Sequence, residues 1–208
     1  MDRLYVEKWL REHKVKNCTI NEDLSVDVNG GVDLISKNLT ELRVRFRNVR
    51  GEFSCGKNRL TSLVGCPEKV GGDFNCSKND LTSLEGCPTS VGGGFYCYEN
   101  QLTSLAGCPA EVAGIFNCHK NKLASLENGP KVVGKFYCGN NELLSLDNSP
   151  IIGYFLDCKN NKFNESDLFL YDYTHEQVRQ YYDNKNLNIK LNGDLDIEND
   201  LGVKKRKI

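Results

Sequence analysis

One segment, close to FxCxxNxLxSL, returns through most of the chain. It reads FSCGKNRLTSL from Phe53, FNCSKNDLTSL from Phe74, FYCYENQLTSL from Phe95, FNCHKNKLASL from Phe116 and FYCGNNELLSL from Phe136. A shortened copy, LDCKNNKF, starts at Leu156. Cysteines at 55, 76, 97, 118, 138 and 158 are separated by 21, 21, 21, 20 and 20 residues, and asparagines at 58, 79, 100, 121, 141 and 161 keep the same steps. Two ladders in phase at a period near 20 point to a solenoid, with one repeat per turn. A fainter turn lies upstream, where Leu39, Leu42, Val49, Gly51 and Phe53 keep the spacing of Leu60, Leu63, Val70, Gly72 and Phe74. There LRVRFRNV stands in place of Gly-Cys-Pro. The expected division is an N-terminal helix and strand cap over 1–31, the repeat array over 32–163, and a C-terminal helical cap with a basic tail over 164–208.

Each repeat is expected to lay down one short strand, at 52–56 and the equivalent positions, and stacked strands form a parallel sheet. Side chains alternate along a strand, so Phe53 and Cys55 turn inward while Glu52, Ser54 and Gly56 turn outward. The asparagine amide both donates and accepts, and can tie backbone groups of adjacent turns that would otherwise be buried unpaired. Leu60, Leu63 and their equivalents fill the core on the return path. Gly-Cys-Pro and Val-x-Gly turn the chain back, because proline fixes φ and glycine permits tight bends. The return path is too short and too rich in Pro and Gly for a long helix, so turns or polyproline-like backbone are expected there.

The frame LxxLxLxxNxL of leucine-rich repeats maps onto this unit, with Phe at its second apolar position, Cys at its third and Asn at its asparagine. The variant resembles the short-repeat proteins of large tailed bacteriophages and some bacteria, whose unit reads close to FxCxxNxLTSLxGCPxxVxGx. The lead-in CTINEDLSVDVNGGVDLISKNLTEL also resembles the stretch before their repeats. The resemblance covers roughly residues 1–163 and implies a leucine-rich-repeat fold with the sheet on the concave face; the end segments themselves add the expectation of helical caps at both ends.

Charge narrows the function. The 208 residues carry 27 Lys+Arg against 28 Asp+Glu, a net −1, which argues against a broad electrostatic grip on nucleic acid. No apolar run approaches the ~20 residues needed to span a bilayer. The start, MDRLYVEKWLREHK, lacks the apolar core of a secretion signal, so a cytoplasmic protein is expected. In a reducing compartment the ten cysteines are read as thiols. Cys66, Cys87 and Cys108, in Gly-Cys-Pro, form a second series. Neither series holds the close ligand pairs of a structural zinc site, so no metal is expected. Cys18 belongs to neither series.

No nucleophile elbow, HExxH, GxGxxG or P-loop pattern is present, and no cofactor is implied. Of the three histidines, His119 takes an outward position, and its neighbour Cys118 faces the other side of the strand. The expected role is therefore non-catalytic. Solenoids bind on the sheet face, where variable residues sit on a rigid frame. The late repeats present Tyr96, Tyr98, Ile115, Asn117, His119, Tyr137 and Phe155 there, a far more aromatic set than Glu52, Ser54, Asp73, Asn75 and Ser77 before them. Aromatic residues are enriched at interface hot spots. Strands also favour Tyr and Ile, and these side chains can shield one another.

Residues 2–13 are expected to form an amphipathic helix with Leu4, Tyr5, Trp9 and Leu10 to one side. Thr174 and Gln177 resemble a capping box before a helix through Val178, Tyr181 and Tyr182. The chain ends KKRKI. The expectation is a protein-binding scaffold, a monomer or weak homo-oligomer without a membrane partner. The resemblance implies a phage protein that binds and blocks a host defence protein in the host cytoplasm. A self-associating assembly protein and a nucleic-acid binder using the tyrosines and basic tail stand as alternatives.

Overall fold

The computed structural model describes residues 2–146, 149, 150, 152, 153 and 155–163. Helix α1 (Arg3–Glu12) comes first, followed by β1 (Cys18–Ile20), β2 (Val26–Val28), β3 (Val32–Asp33) and β4 (Phe46–Val49). The repeats then supply β5 (Phe53–Ser54), β6 (Lys69–Val70), β7 (Phe74–Asn75), β8 (Ser90–Val91) and β9 (Phe95–Tyr96). Five more follow: β10 (Glu111–Val112), β11 (Phe116–Asn117), β12 (Lys131–Val132), β13 (Lys135–Tyr137) and β14 (Phe155–Asp157). Over the described residues the chain is a parallel-stranded β-solenoid with little helix.

The main sheet has seven strands in the order β14-β13-β11-β9-β7-β5-β3. Every pair in it is parallel, and the register sets Phe53, Phe74, Phe95, Phe116 and Phe136 side by side. The first strand is one turn earlier than the first Phe: Val32 pairs with Phe53 and Asp33 with Ser54. The strands are shorter than the sequence leads one to expect, but the ladder runs on past them, with the Cys55 and Lys57 N–H groups donating to Asn75 and Ser77 at 2.8 and 2.9 Å.

The return path departs from the expectation of turns or polyproline-like backbone alone. It carries a second set of parallel ladders: β2-β4-β6-β8 with β1 added antiparallel at the edge, and β10-β12. Both sides of a turn repeat at the same spacing, so backbone groups on the return path also find partners one turn away. Val70 and Val91 pair in register there, and Val112 pairs with Val132. Close approach needs small residues: a Cβ on Gly71 would lie 2.1 Å from the Arg50 carbonyl oxygen.

The core follows the repeat. The five phenylalanines are fully buried, as are Cys55, Cys76, Cys97, Cys118 and Cys138 and the leucines from Leu60 to Leu143. Neighbouring rings lie 5.1–6.0 Å apart. Each buried Phe or Leu contributes roughly 1.5–3 kcal/mol relative to exposure.

The asparagine ladder bonds as its chemistry suggests. Asn79 donates to the Cys76 carbonyl of its own turn at 3.0 Å and to the Cys55 carbonyl of the turn before at 3.1 Å. Its Oδ1 accepts from the Leu60 N–H at 2.9 Å. Asn100, Asn121 and Asn141 repeat the pattern.

Two turn positions take positive φ. In Gly-Cys-Pro the residues are Gly65, Gly86 and Gly107; where that segment becomes Asn-Gly-Pro, Asn128 takes over at φ 61. The other position lies just before each ladder asparagine, at Lys57, Lys78, Glu99, Lys120, Asn140 and Asn160, with φ of 53–57. L-residues enter this region at a cost of roughly 1–2 kcal/mol.

Helix α1 packs its buried side on the core at the start of the coil. Asp2 caps the helix, accepting from the Tyr5 N–H at 2.8 Å, and Val6, Trp9 and Leu10 are buried. The Trp9 ring meets Phe46 edge-on at 6.1 Å. Leu4 and Tyr5, expected on the apolar side, are exposed. The β1–β2 hairpin is tied on by Asp27, which accepts from both Arg47 and the Asn48 side chain. The expected C-terminal helix, with Thr174 and Gln177, and the KKRKI tail lie outside the described residues.

Candidate binding face

Because the main sheet is in register, its outward residues form columns. The position before each Phe gives Glu52, Asp73, Gly94, Ile115 and Lys135, ending at Phe155. The position after it gives Asp33, Ser54, Asn75, Tyr96, Asn117, Tyr137 and Asp157. The position after each Cys gives Gly56, Ser77, Tyr98, His119 and Gly139.

Four of the residues expected to bind a partner come together. Tyr96, Tyr98, Asn117 and His119 line one open depression of about 550 Å³, with Glu52, Ser54, Asp73 and Asn75. The Tyr98 and His119 rings stack at 4.9 Å with 9° between their planes. The Asn117 Oδ1 accepts from the His119 N–H at 3.2 Å and lies 2.7 Å from His119 Nδ1. Burial lowers the His119 pKa, and Lys120 adds to this against the opposing charges of Glu99 and Asp157. The Tyr96 ring lies over Gly94, where a Cβ would stand 2.8 Å from it. Burial raises the Tyr96 phenol, and the Asp73 carboxylate raises it further.

The remaining predicted residues lie elsewhere on the same sheet. Tyr137 and Phe155 pack together at 5.4 Å, with the Lys135 ammonium 5.9 Å from the Phe155 ring centroid. Ile115 is half-buried in the column between the two groups. Mutual shielding is therefore substantial: the three tyrosines are half-buried rather than free in water, and Phe155 is the exposed ring of the set. Gly56 and Ser77 hold outward positions but are covered by their neighbours: a Cβ on Gly56 would lie 3.1 Å from Asn75 Oδ1, and the Ser77 hydroxyl donates to Asn75 Oδ1 at 2.6 Å.

Beyond the depression runs a charged column. Glu99 meets Lys78 at 3.5 Å and Lys120 at 3.3 Å. Burial opposes ionisation of Glu99, but the two lysines outweigh it and its pKa falls.

Sequence reasoning read Glu52 and Asp73 as outward but did not join them to the aromatic residues. The available signal was their shared place in the repeat, directly before Phe53 and Phe74.

Eight of the ten thiols are buried, and Cys18 and Cys108 are partly exposed. Burial raises Cys76, Cys97, Cys118 and Cys138 well above the ordinary thiol range, and takes Cys87 and Cys108 to about 12. Cys118 is fully buried while His119 stays on the outer face. Among the described residues no three His, Cys, Asp or Glu side chains are grouped to hold a metal ion. No helix among them is long and apolar enough to cross a membrane.

Comparison with known proteins returns no family model, no curated protein and no solved structure that matches the chain.

Proposed function

We propose that the chain is a leucine-rich-repeat-type scaffold that holds a protein partner on the outer face of its main sheet and catalyses no reaction. The observation that carries this reading is the gathering of Tyr96, Tyr98, Asn117 and His119 into one open depression on a regular sheet. Behind that face, identical buried Phe and Cys residues fix each strand. Rigid aromatic side chains on a preformed surface lose little entropy when a partner docks. The resemblance to phage repeat proteins makes a host protein, and a defence factor in the host cytoplasm, the first partner to seek.

The test is co-purification from nuclease-treated bacterial lysate, comparing the wild type with a Tyr96→Ala, Tyr98→Ala, Tyr137→Ala variant. One host protein retained by the wild type and lost from the variant supports the reading. Identical recovery with both removes the aromatic face as the site.

A further inference from the structure

The parallel register sets two carboxylates side by side on the rim of the depression. Phe53 pairs with Phe74, so Glu52 and Asp73, one residue earlier in each strand, lie on adjacent strands in the same column. Adjacent strands are ~4.8 Å apart. Asp73 Oδ1 accepts from the Gly94 N–H at 2.7 Å. That bond leaves its second oxygen free, and among the described residues neither carboxylate has a cation within salt-bridge distance.

Glu99, by contrast, sits between two lysines. Asp33 and Asp157, like Asp73, each accept from one backbone N–H, those of Ile35 and Lys159 at 2.9 and 3.2 Å. Lys57 and Lys78 are five residues along the chain from Glu52 and Asp73, and the Lys78 ammonium lies 5.9 Å from the Tyr98 ring centroid. The two carboxylates thus line the depression with no ion-pair partner among the described residues, beside the Tyr96 ring lying over Gly94.

We infer that the depression receives an arginine side chain from the docked protein, with Glu52 and Asp73 as its anionic wall and Tyr96 as its aromatic one. A guanidinium is planar and matches this site in two ways. Its fork of N–H donors suits paired carboxylate oxygens, and its face stacks on a tyrosine ring. Charge complementarity selects the occupant, because the two carboxylates line this side of the depression with no cation beside them among the described residues. A neutral isostere of arginine keeps a planar face and some N–H donors but lacks the charge. This inference rests on the protein-binding reading of the face and adds the chemistry of the partner's anchor.

The probe is acetyl-Gly-Arg-Gly-Arg-Gly-amide, titrated into the full chain while side-chain and backbone NMR signals are followed. The control is the same peptide with citrulline at both arginines. The arginine peptide is expected to shift the signals of Glu52, Asp73 and Tyr96, and to bind at least ten-fold more tightly than the citrulline peptide. Glu52→Gln with Asp73→Asn should weaken arginine-peptide binding at least ten-fold with the melting temperature preserved, since an oxygen remains for the Gly94 N–H. Equal binding of the two peptides overturns the inference, as does full affinity in the double variant, or shifts confined to other surfaces.

The double variant also separates this inference from the reading beneath it. A partner lost on the tyrosine substitutions but kept by Glu52→Gln/Asp73→Asn leaves the binding face standing and removes the arginine anchor. A partner unaffected by either variant removes the face itself.

Discussion

The inward and outward sides of the main sheet share one backbone and obey opposite rules. Inward, Phe and Cys recur from turn to turn, because each ring packs on the ring of the next turn 5.1–6.0 Å away. Outward, the equivalent column runs Ser54, Asn75, Tyr96, Asn117, Tyr137. Nothing in the packing of the coil demands that variety. Uniform residues show what the fold needs at a position, and varied residues at a geometrically identical position show what it leaves open to other uses.

The comparison can be broken most forcefully from the inside. Phe95→Ala removes a buried ring from the middle of the stack and should cost about 3–5 kcal/mol, read as a fall in the urea midpoint. A cost near 1 kcal/mol would mean that the coil relaxes around the gap and that the inward rule is weak. Asn100→Ala should come next, at about 2–3 kcal/mol, because it leaves the Leu81 N–H and the Cys76 and Cys97 carbonyls without their shared amide. Hydrogen exchange at Leu81 should then be faster than at Leu60, whose acceptor Asn79 is intact.

A polar lock outside the face should give a smaller and pH-dependent effect. The hydrogen bond from Arg47, together with those from Asn48 and Asn21, outweighs burial and takes the Asp27 pKa from its ordinary 3.8 to about 2. A depressed folded-state value means that the contribution is present above about pH 4 and disappears as pH falls through 2. Asp27→Asn should therefore flatten that part of the acid-stability profile of the N-terminal hairpin. The smallest stability effect is expected on the outer face: Tyr96→Ala, Tyr98→Ala and Tyr137→Ala together should cost about 1–2 kcal/mol, the cross-strand ring contacts with His119 and Phe155 included. A loss as large as that of Phe95→Ala would make those rings part of the fold and sharpen the comparison against the proposed role.

The legible part of the molecule was the part that repeats. The Cys and Asn ladders disclosed the coil, its period and the buried side of each strand before any coordinates. The amide bonding of Asn79 and its equivalents followed from what an amide can donate and accept. The second ladder was harder to see, because Lys69–Val70 and Ser90–Val91 are two-residue strands next to Pro and Gly, with no alternation to mark them. The bend before each ladder asparagine carried no signal either. Positive φ normally announces itself as Gly or Asn, yet Lys57, Lys78, Glu99 and Lys120 adopt it here. At the candidate site the aromatic residues stood out by type, whereas Glu52 and Asp73 acquire meaning only through register, as neighbours on adjacent turns.

The direction of the asparagine bonds bears on how such a chain is made. The Leu60 N–H is satisfied by Asn79, and the Leu81 N–H by Asn100, each 19 residues further on. A turn is thus completed by the turn that follows it, never by a distant one. Loop-closure entropy is the same modest cost at every step, and it does not grow with the length already built. At translation rates of roughly 5–20 residues per second, a ribosome supplies each new closing partner within a few seconds. The nascent coil can lengthen by zippering at the pace of synthesis, with only its newest turn waiting for its amide.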